Sequence, residues 1–289
     1  MKNKSLILII GESTGLECFK NLLKLNYLKI FLVVSVDFNY HYIIKKICKK
    51  NYIKFQTSSQ FKKNFHKINF TKNQKYILLS IFSNLILKKN LLKKFDGKAY
   101  NLHPGLLPYY PGKNCVSGAL YNDEKETGVS LHLIEEEIDT GAIIEKIKIK
   151  ILKSDNLITI MFKLRLIGIK IIIKYIKNIY LNKKLSLKKN IVHLKKNFPK
   201  EIPNNGLINS KIKYKDFNNL VRASYFGPFR NTWGELHFKY KNKKKYVVRV
   251  ISHFQISNKK FNDFRFIEKL SNNRYYLRVE KKIIEVLTK

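Results

Sequence analysis

Asn101 and His103 stand two residues apart at the end of the segment KAYNLH, and Pro104 and Gly105 follow at once. Side chains at positions i and i+2 of a strand point to the same side. A strand ending here presents an amide and an imidazole together, with the Pro/Gly turn fixing them. The chemistry open to such a pair is hydrogen bonding to a group held in a cleft, with proton exchange through the imidazole. A turn-capping Asn beside a surface His is the plain alternative, and the spacing alone leaves it open. A third group favours the cleft: Asp139 lies in EEEIDTGAII, a loop between two apolar segments, where Gly141 permits unusual backbone angles. His132, Glu135 and Glu136 read as neighbours of this set rather than metal ligands.

The elements that must position these residues follow from hydrophobic pattern. SLILII is a short apolar run ended by Gly11, and the stretch from Leu16 to Leu25 carries apolar residues at helical spacing. The alternation continues through KIFLVVSV (strand), HYIIKKICKKN (helix), IKFQT (strand), YILLSIFSNLIL (strand), NLLKKF (helix) and KAYNLH (strand). Near-continuous apolar strands alternating with helices predict an α/β fold: a Rossmann-like, mostly parallel sheet with helices on both faces. Function in such sheets sits at the carboxyl ends of the strands. VSLHLI and AIIEKIKIKIL read as an antiparallel edge pair. The segment from Asn156 to about Asn182 reads as a long helix covering the sheet. Lys163, Arg165, Lys170, Lys174 and Lys177 interrupt it, so no run reaches the ~18 uncharged residues of a membrane span. Pro199, Pro203, Asn204, Asn205 and Gly206 punctuate the chain most clearly. We therefore expect a catalytic domain over 1–198 and a smaller β-rich domain over 206–289, where aromatic or β-branched residues alternate with polar ones.

At 289 residues the chain can bury a substantial core, and 45% hydrophobic residues exclude wholesale disorder. The formal charge of +38 invites a nucleic-acid reading, but Lys supplies 51 of the 58 basic residues and Arg only seven. Arg is the residue expected for bidentate phosphate recognition, and Lys rich in company with Asn and Ile reads as compositional bias. Eight of the twenty carboxylates lie between Asp123 and Glu145, around the third polar group. Cys18, Cys48 and Cys115 are too few and scattered for a disulfide framework or a zinc cluster, which fits a reducing cytoplasm. The amino-terminal apolar run lacks a small-residue cleavage site and reads as a buried first strand.

NLHPGLLPYYPG, then a helix, then TGVSLHLIEEEIDTGAII, resembles the core of the folate-dependent formyltransferases. That family carries Asn-x-His, a Leu-Leu-Pro loop, and a distant Asp followed by a small residue and Gly. The resemblance extends over residues 5–180 for fold and is specific over 101–144. It implies that Asn101, His103 and Asp139 form a catalytic trio moving a formyl group from 10-formyltetrahydrofolate to an amine. Asn101 would give an amide N–H to the oxyanion. His103 would donate as imidazolium or accept the amine's proton, and Asp139 would orient and charge-stabilise it. The pterin slot falls at Leu85, Leu87 and Leu92 together with Glu135, Glu136 and Ile138. Taken alone, each of those leucines reads as ordinary core, and only its aligned position lifts it.

The acceptor is the open point. PGKNCVSGAL stands where the tRNA-modifying members show an Arg-Gly-Ala-Ala-Pro-like stretch, and LVRASYFGPFRNTWGELHF resembles the second part of sugar-modifying members. The expected substrate-binding residues are Ser13, Lys113, Asn114, Phe226, Arg230 and Trp233, the aromatic ones reading equally as interdomain packing. Ser13 enters because GESTG departs from G-x-G-x-x-G, which excludes a nicotinamide dinucleotide, yet a helix N-terminus there can meet a phosphate. The expected partner is a nucleotide-linked amino sugar, with methionyl-tRNA second and a homodimer as the assembly to consider. A basic binding module on a formyltransferase-like fold is the non-enzymatic alternative.

Overall fold

The structure is a computed structural model that describes residues 4–68, 70, 74–208, 212–227, 231–255, 267–279 and 282–289. In chain order the first half comprises β1 (Lys4–Ile10), α1 (Glu12–Leu22), β2 (Ile30–Ser35), α2 (His41–Lys50), β3 (Lys54–Thr57), α3 (Ser58–Asn64), β4 (Lys75–Ile81), α4 (Lys89–Leu92) and β5 (Ala99–His103). Then follow α5 (Cys115–Tyr121), β6 (Glu126–Leu133), β7 (Ile143–Lys150), α6 (Leu157–Leu181) and α7 (Tyr214–Ser224). The last strands are β8 (His237–Tyr240), β9 (Lys243–Gln255), β10 (Ile267–Ser271), β11 (Arg274–Val279) and β12 (Lys282–Thr288). Two compact units result. One comprises Met1–Lys113, Gly128–Ile149 and Lys163–Lys196; the other comprises Asn114–Thr127, Lys150–Phe162 and Asn197–Lys289.

The first unit is built on a seven-stranded sheet of order β3-β2-β1-β4-β5-β6-β7. Pairings from β3 to β5 are parallel, and β5 with β6 is antiparallel. The unbroken apolar runs in β1 and β4 have a simple cause: Leu6, Ile7, Leu8 and Ile9, like Ile77, Leu78 and Leu79, are wholly buried, so both faces of these strands are covered. One face packs Ile7, Ile9, Val34, Phe61, Leu78 and Phe95 into a single cluster. Each such side chain contributes ~1.5–3 kcal/mol by leaving water. α6 buries Leu164, Ile171, Ile172, Ile176 and Ile179 at helical spacing, and the Tyr180 hydroxyl donates to the Lys4 carbonyl at 2.9 Å, fastening the helix to β1. Among the described residues no helix is long and apolar enough to cross a membrane. The run YILLSIFSNLIL is not one strand: β4 ends at Ile81 and Phe82 adopts φ +47°, so the apolar residues beyond it leave the sheet.

The second unit carries an antiparallel five-stranded sheet of order β10-β11-β12-β9-β8. Beside it α5 and α7 are joined by Ser117 Oγ donating to Ala223 O at 2.9 Å and Asn219 Nδ2 donating to Tyr121 O at 3.3 Å. Arg222 binds the carbonyls of Asp155 (2.8 Å) and Leu152 (3.0 Å), capping this helical layer with its guanidinium.

Candidate active site

β5 carries Asn101 and His103 to its carboxyl end, and the antiparallel register sets Asn101 opposite His132 of β6. The β6–β7 loop then returns Asp139 to the same point. Asn101 Nδ2 donates to His132 Nε2 at 3.1 Å and reaches Asp139 Oδ1 at 3.4 Å. Asp139 Oδ2 accepts from the Gly112 amide at 2.7 Å and lies 3.2 Å from His103 Nδ1. His103 Nε2 faces the Tyr110 carbonyl at 2.7 Å. Both His103 nitrogens therefore face oxygens that accept, and the imidazolium is the form that donates to both. His132 Nδ1 faces the Leu133 carbonyl at 2.7 Å, which places that ring's hydrogen on Nδ1 and leaves Nε2 to accept from Asn101. His103 is only 4% exposed and the Asp139 side chain 10%.

Burial alone would raise the Asp139 pKa. The His103 charge and the Gly112 amide outweigh it and hold the carboxyl well below the usual carboxylate range. The backbone is specialised here too. The left-handed angle falls on Asp139 itself, at φ +56°, and not on Gly141 as the sequence suggested. Gly141 is required for space: a Cβ there would sit 2.0 Å from the Leu133 carbonyl oxygen. Ser130, fully buried on β6, anchors the opposite loop by donating to Gly105 O (2.8 Å) and accepting from Leu107 N (3.0 Å). The Asn101 Oδ1 atom is buried and has no hydrogen-bond partner.

Leu85, Leu87 and Leu92 all join the cluster on one face of the sheet, Leu87 at 6% exposure and the other two partly open, and Ile134 joins them at the start of the Asp139 loop. An apolar wall thus borders the loop that holds the carboxylate. Glu135, Glu136 and Ile138 are exposed; Glu136 pairs with Lys89 at 2.9 Å. Ser13 lies in the first turn of α1, where Tyr40 hydrogen-bonds to it. The same turn carries Glu12 at φ +52°, its pKa pushed up to about 7 by burial and by Asp37. This helix N-terminus therefore faces two carboxyl groups, which weakens it as a seat for phosphate. Lys113 is exposed.

In the second unit Asn114 precedes α5 at φ +57° and accepts from Thr232 Oγ1 at 2.8 Å. Phe226 is partly buried, and Arg230, like Phe229, lies outside the described residues. Trp233 is 1% exposed, donates Nε1–H to Pro199 O at 2.8 Å and packs edge-on to Tyr121. Its ring is occupied by packing, the reading that the sequence left open for it beside substrate binding. Among the described residues no group of three His, Cys, Asp or Glu could hold a metal ion.

The arrangement defines a doubly wound α/β protein with an amide–imidazole–carboxylate cluster at a strand's carboxyl end, where ligands of such sheets bind. The formyl transferase family matches residues 5–176, well over half of the chain, and the protein belongs to it. A methionyl-tRNA formyltransferase of Buchnera aphidicola is 30% identical over 182 residues, covering 63% of this chain and 56% of the relative. The chain thus spans little more than half of that relative's length. Two solved structures share the fold throughout. WlaRD, a sugar 3N-formyl transferase solved with dTDP and 5-N-formyl-THF, superposes with TM-score 0.70 at 21% identity, over 100% of this chain and 98% of its own. An N-formyltransferase from Helicobacter canadensis, in complex with folinic acid and dTDP-3-aminofucose, gives TM-score 0.69 at 22% identity, over 98% of both.

Proposed function

We propose that the protein transfers a formyl group from 10-formyltetrahydrofolate to the primary amine of a nucleotide-linked amino sugar. The observation that carries formyl transfer is the cluster itself: Asn101, His103 and Asp139 converge, and the buried Asn101 Oδ1 awaits a donor. An attacking amine is such a donor. For the acceptor, the support is fold likeness along almost the whole chain to proteins solved with dTDP or a dTDP-amino sugar, against a partial match to the methionyl-tRNA enzyme.

The amine attacks the formyl carbon of the carrier, and the formyl oxygen gains negative charge as the new C–N bond forms. Collapse of this intermediate breaks the carbon's bond to the carrier nitrogen, the amine's proton passes to that nitrogen, and tetrahydrofolate leaves. Leu85, Leu92 and Ile134 offer the apolar wall for its pterin ring. Asn101 Oδ1 accepts an amine N–H and aims the nitrogen lone pair. His103 acts as imidazolium: its Nε2–H exchanges the Tyr110 carbonyl for the formyl oxygen, and Asp139 sustains the charge through Nδ1. The donors sit in a buried site, where such stabilisation counts most. Asn101 and His132 keep the carboxylate in place. Three free, buried cysteines fit work in a reducing compartment, the cytoplasm.

Methionyl-tRNA is the second reading, favoured by the Buchnera relative and by the charge of +38. The two separate in one assay: carrier turnover with dTDP-amino sugars and with methionyl-tRNA, across a salt series. A diphosphate ligand should weaken modestly with salt, whereas many Lys–phosphate contacts would make tRNA affinity fall steeply. Salt-sensitive formylation of methionyl-tRNA without turnover of any amino-sugar nucleotide overturns the choice of acceptor. Tight binding of either without turnover favours the binding-module alternative.

A further inference from the structure

The segment 188–196 lies beyond every motif of the site, yet it holds both loops that build it. Lys188 exchanges both backbone hydrogen bonds with Ile143 at 2.8 Å, docking the segment on the first residue of β7. Two residues on, Asn190 is 8% exposed, and its Nδ2 donates to Asp139 O at 2.8 Å and to Gly141 O at 3.2 Å. At the far end, the Lys196 amide donates to Tyr109 O at 2.8 Å. The next residue, Tyr110, supplies the carbonyl that faces His103 Nε2, and Gly112 supplies the amide bound by Asp139. One strap thus grips the carboxylate loop and the Leu-Leu-Pro loop together.

Two features mark the Asn190 contact as more than packing. Asp139 adopts φ +56°, an uncommon angle for a non-glycine residue that persists only where the surroundings over-determine it, and Asn190 binds the carbonyl of that same residue. In addition, Asn190 Oδ1 is buried with no partner, a desolvation cost that an apolar side chain here would avoid. The amide is spent on the loop. We propose that Asn190 is a positioning residue for formyl transfer, and that the 188–196 strap fixes the angle at which Asp139 meets His103. The inference rests on the reading that His103 and Asp139 perform the transfer.

The test uses the full chain, with Asn190→Ala, the similarly sized and donor-less Asn190→Leu, and Asn231→Ala as control. Asn231 is likewise buried and donates to two carbonyls, Ala223 O and Ser224 O, far along the chain from these loops. With a dTDP-amino sugar as acceptor, both Asn190 variants should lower kcat by roughly 10- to 100-fold with acceptor KM little changed, the scale of misplacing a group by under about 1 Å. The acid limb of kcat should move to higher pH, because Asp139 loses contacts that hold its proton off. Amide exchange should quicken at 139–141 and at Tyr110 and Gly112. Asn231→Ala should lower Tm without moving the limb or that exchange. Unchanged exchange and an unmoved limb in a folded Asn190 variant overturn the proposal; if Ala does not fold, Leu is read alone. Asp139→Ala separates the two claims: full turnover there removes the underlying reading, whereas its loss beside an unaffected Asn190→Ala removes only the strap.

Discussion

Asp139→Asn removes one charge and almost no volume, so its effect isolates the carboxylate's electrostatic part. His103 Nδ1 lies 3.2 Å from Oδ2. At an effective dielectric of about 20, that separation corresponds to ~5 kcal/mol of attraction between unit charges. Desolvation of both groups offsets part of it, and breaking a buried pair costs about 3–5 kcal/mol. If the transition state needs the imidazolium, kcat at pH 7 should fall by at least ~100-fold, since each factor of ten is about 1.4 kcal/mol. The same substitution makes a statement about stability. The folded-state pKa of Asp139 is depressed, so its contribution is present above the unfolded carboxylate range and is lost as pH falls through the folded value. The variant should therefore melt below the native protein at pH 7, with the gap closing below about pH 4. Single-turnover formyl transfer and thermal melts across pH check both. A folded Asp139→Asn protein within ~10-fold of native turnover, with no pH-dependent gap in Tm, would refute the reasoning.

Asn101→Ala should reduce turnover by about 100-fold, the scale of a reacting nitrogen misplaced by about 1 Å, and combine non-additively with His103→Ala, since parts of one catalytic unit fail together; a double variant as slow as the product of the singles counts against it. Glu12→Gln should raise Tm at pH 8 and leave it unchanged near pH 4. A carboxyl whose folded pKa is raised to about 7 costs stability progressively as pH climbs from its unfolded value, on the order of 3 kcal/mol in full; equal Tm values at both pH values would remove the buried carboxyl from the account. A fragment ending at residue 198 tests the proposed domain division. It should keep the β1–β7 sheet by circular dichroism and bind 5-formyltetrahydrofolate, yet aggregate more readily, because α5 loses the Ser117–Ala223 and Tyr121–Asn219 contacts; an unfolded fragment rejects the division.

Much of this was legible before the fold. The positions of β1 and β5 follow from apolar runs and their Gly or Pro endings, the start of β4 from its run alone, and Asn101 and His103 follow from two-residue spacing on a strand. What the sequence concealed depends on register and distance. His132 matters because it stands opposite Asn101 across an antiparallel pair, a partnership that no local pattern announces. Asn190 acts on a residue 51 positions earlier in the chain. Gly141 was noticed for the wrong physical reason, because a glycine needed for space and one needed for angle look alike in sequence. Trp233, open in sequence to substrate contact or to packing, is core, since a lone aromatic carries no mark of which side it buries.

The weaving of the chain through its two units sets a schedule for synthesis. α5 ends at Tyr121, but its hydrogen-bonding partners on α7 and the neighbouring Trp233 arrive roughly a hundred residues later. At about 5–20 residues per second the ribosome leaves α5, whose Val116, Ala119 and Leu120 are buried in the finished protein, without its neighbour α7 for about 5–20 s. Over that interval the growing chain displays an apolar helix face of the kind that holding chaperones bind. Slowing translation between residues 122 and 214 should lower the yield of folded protein more than the same slowing placed after residue 240.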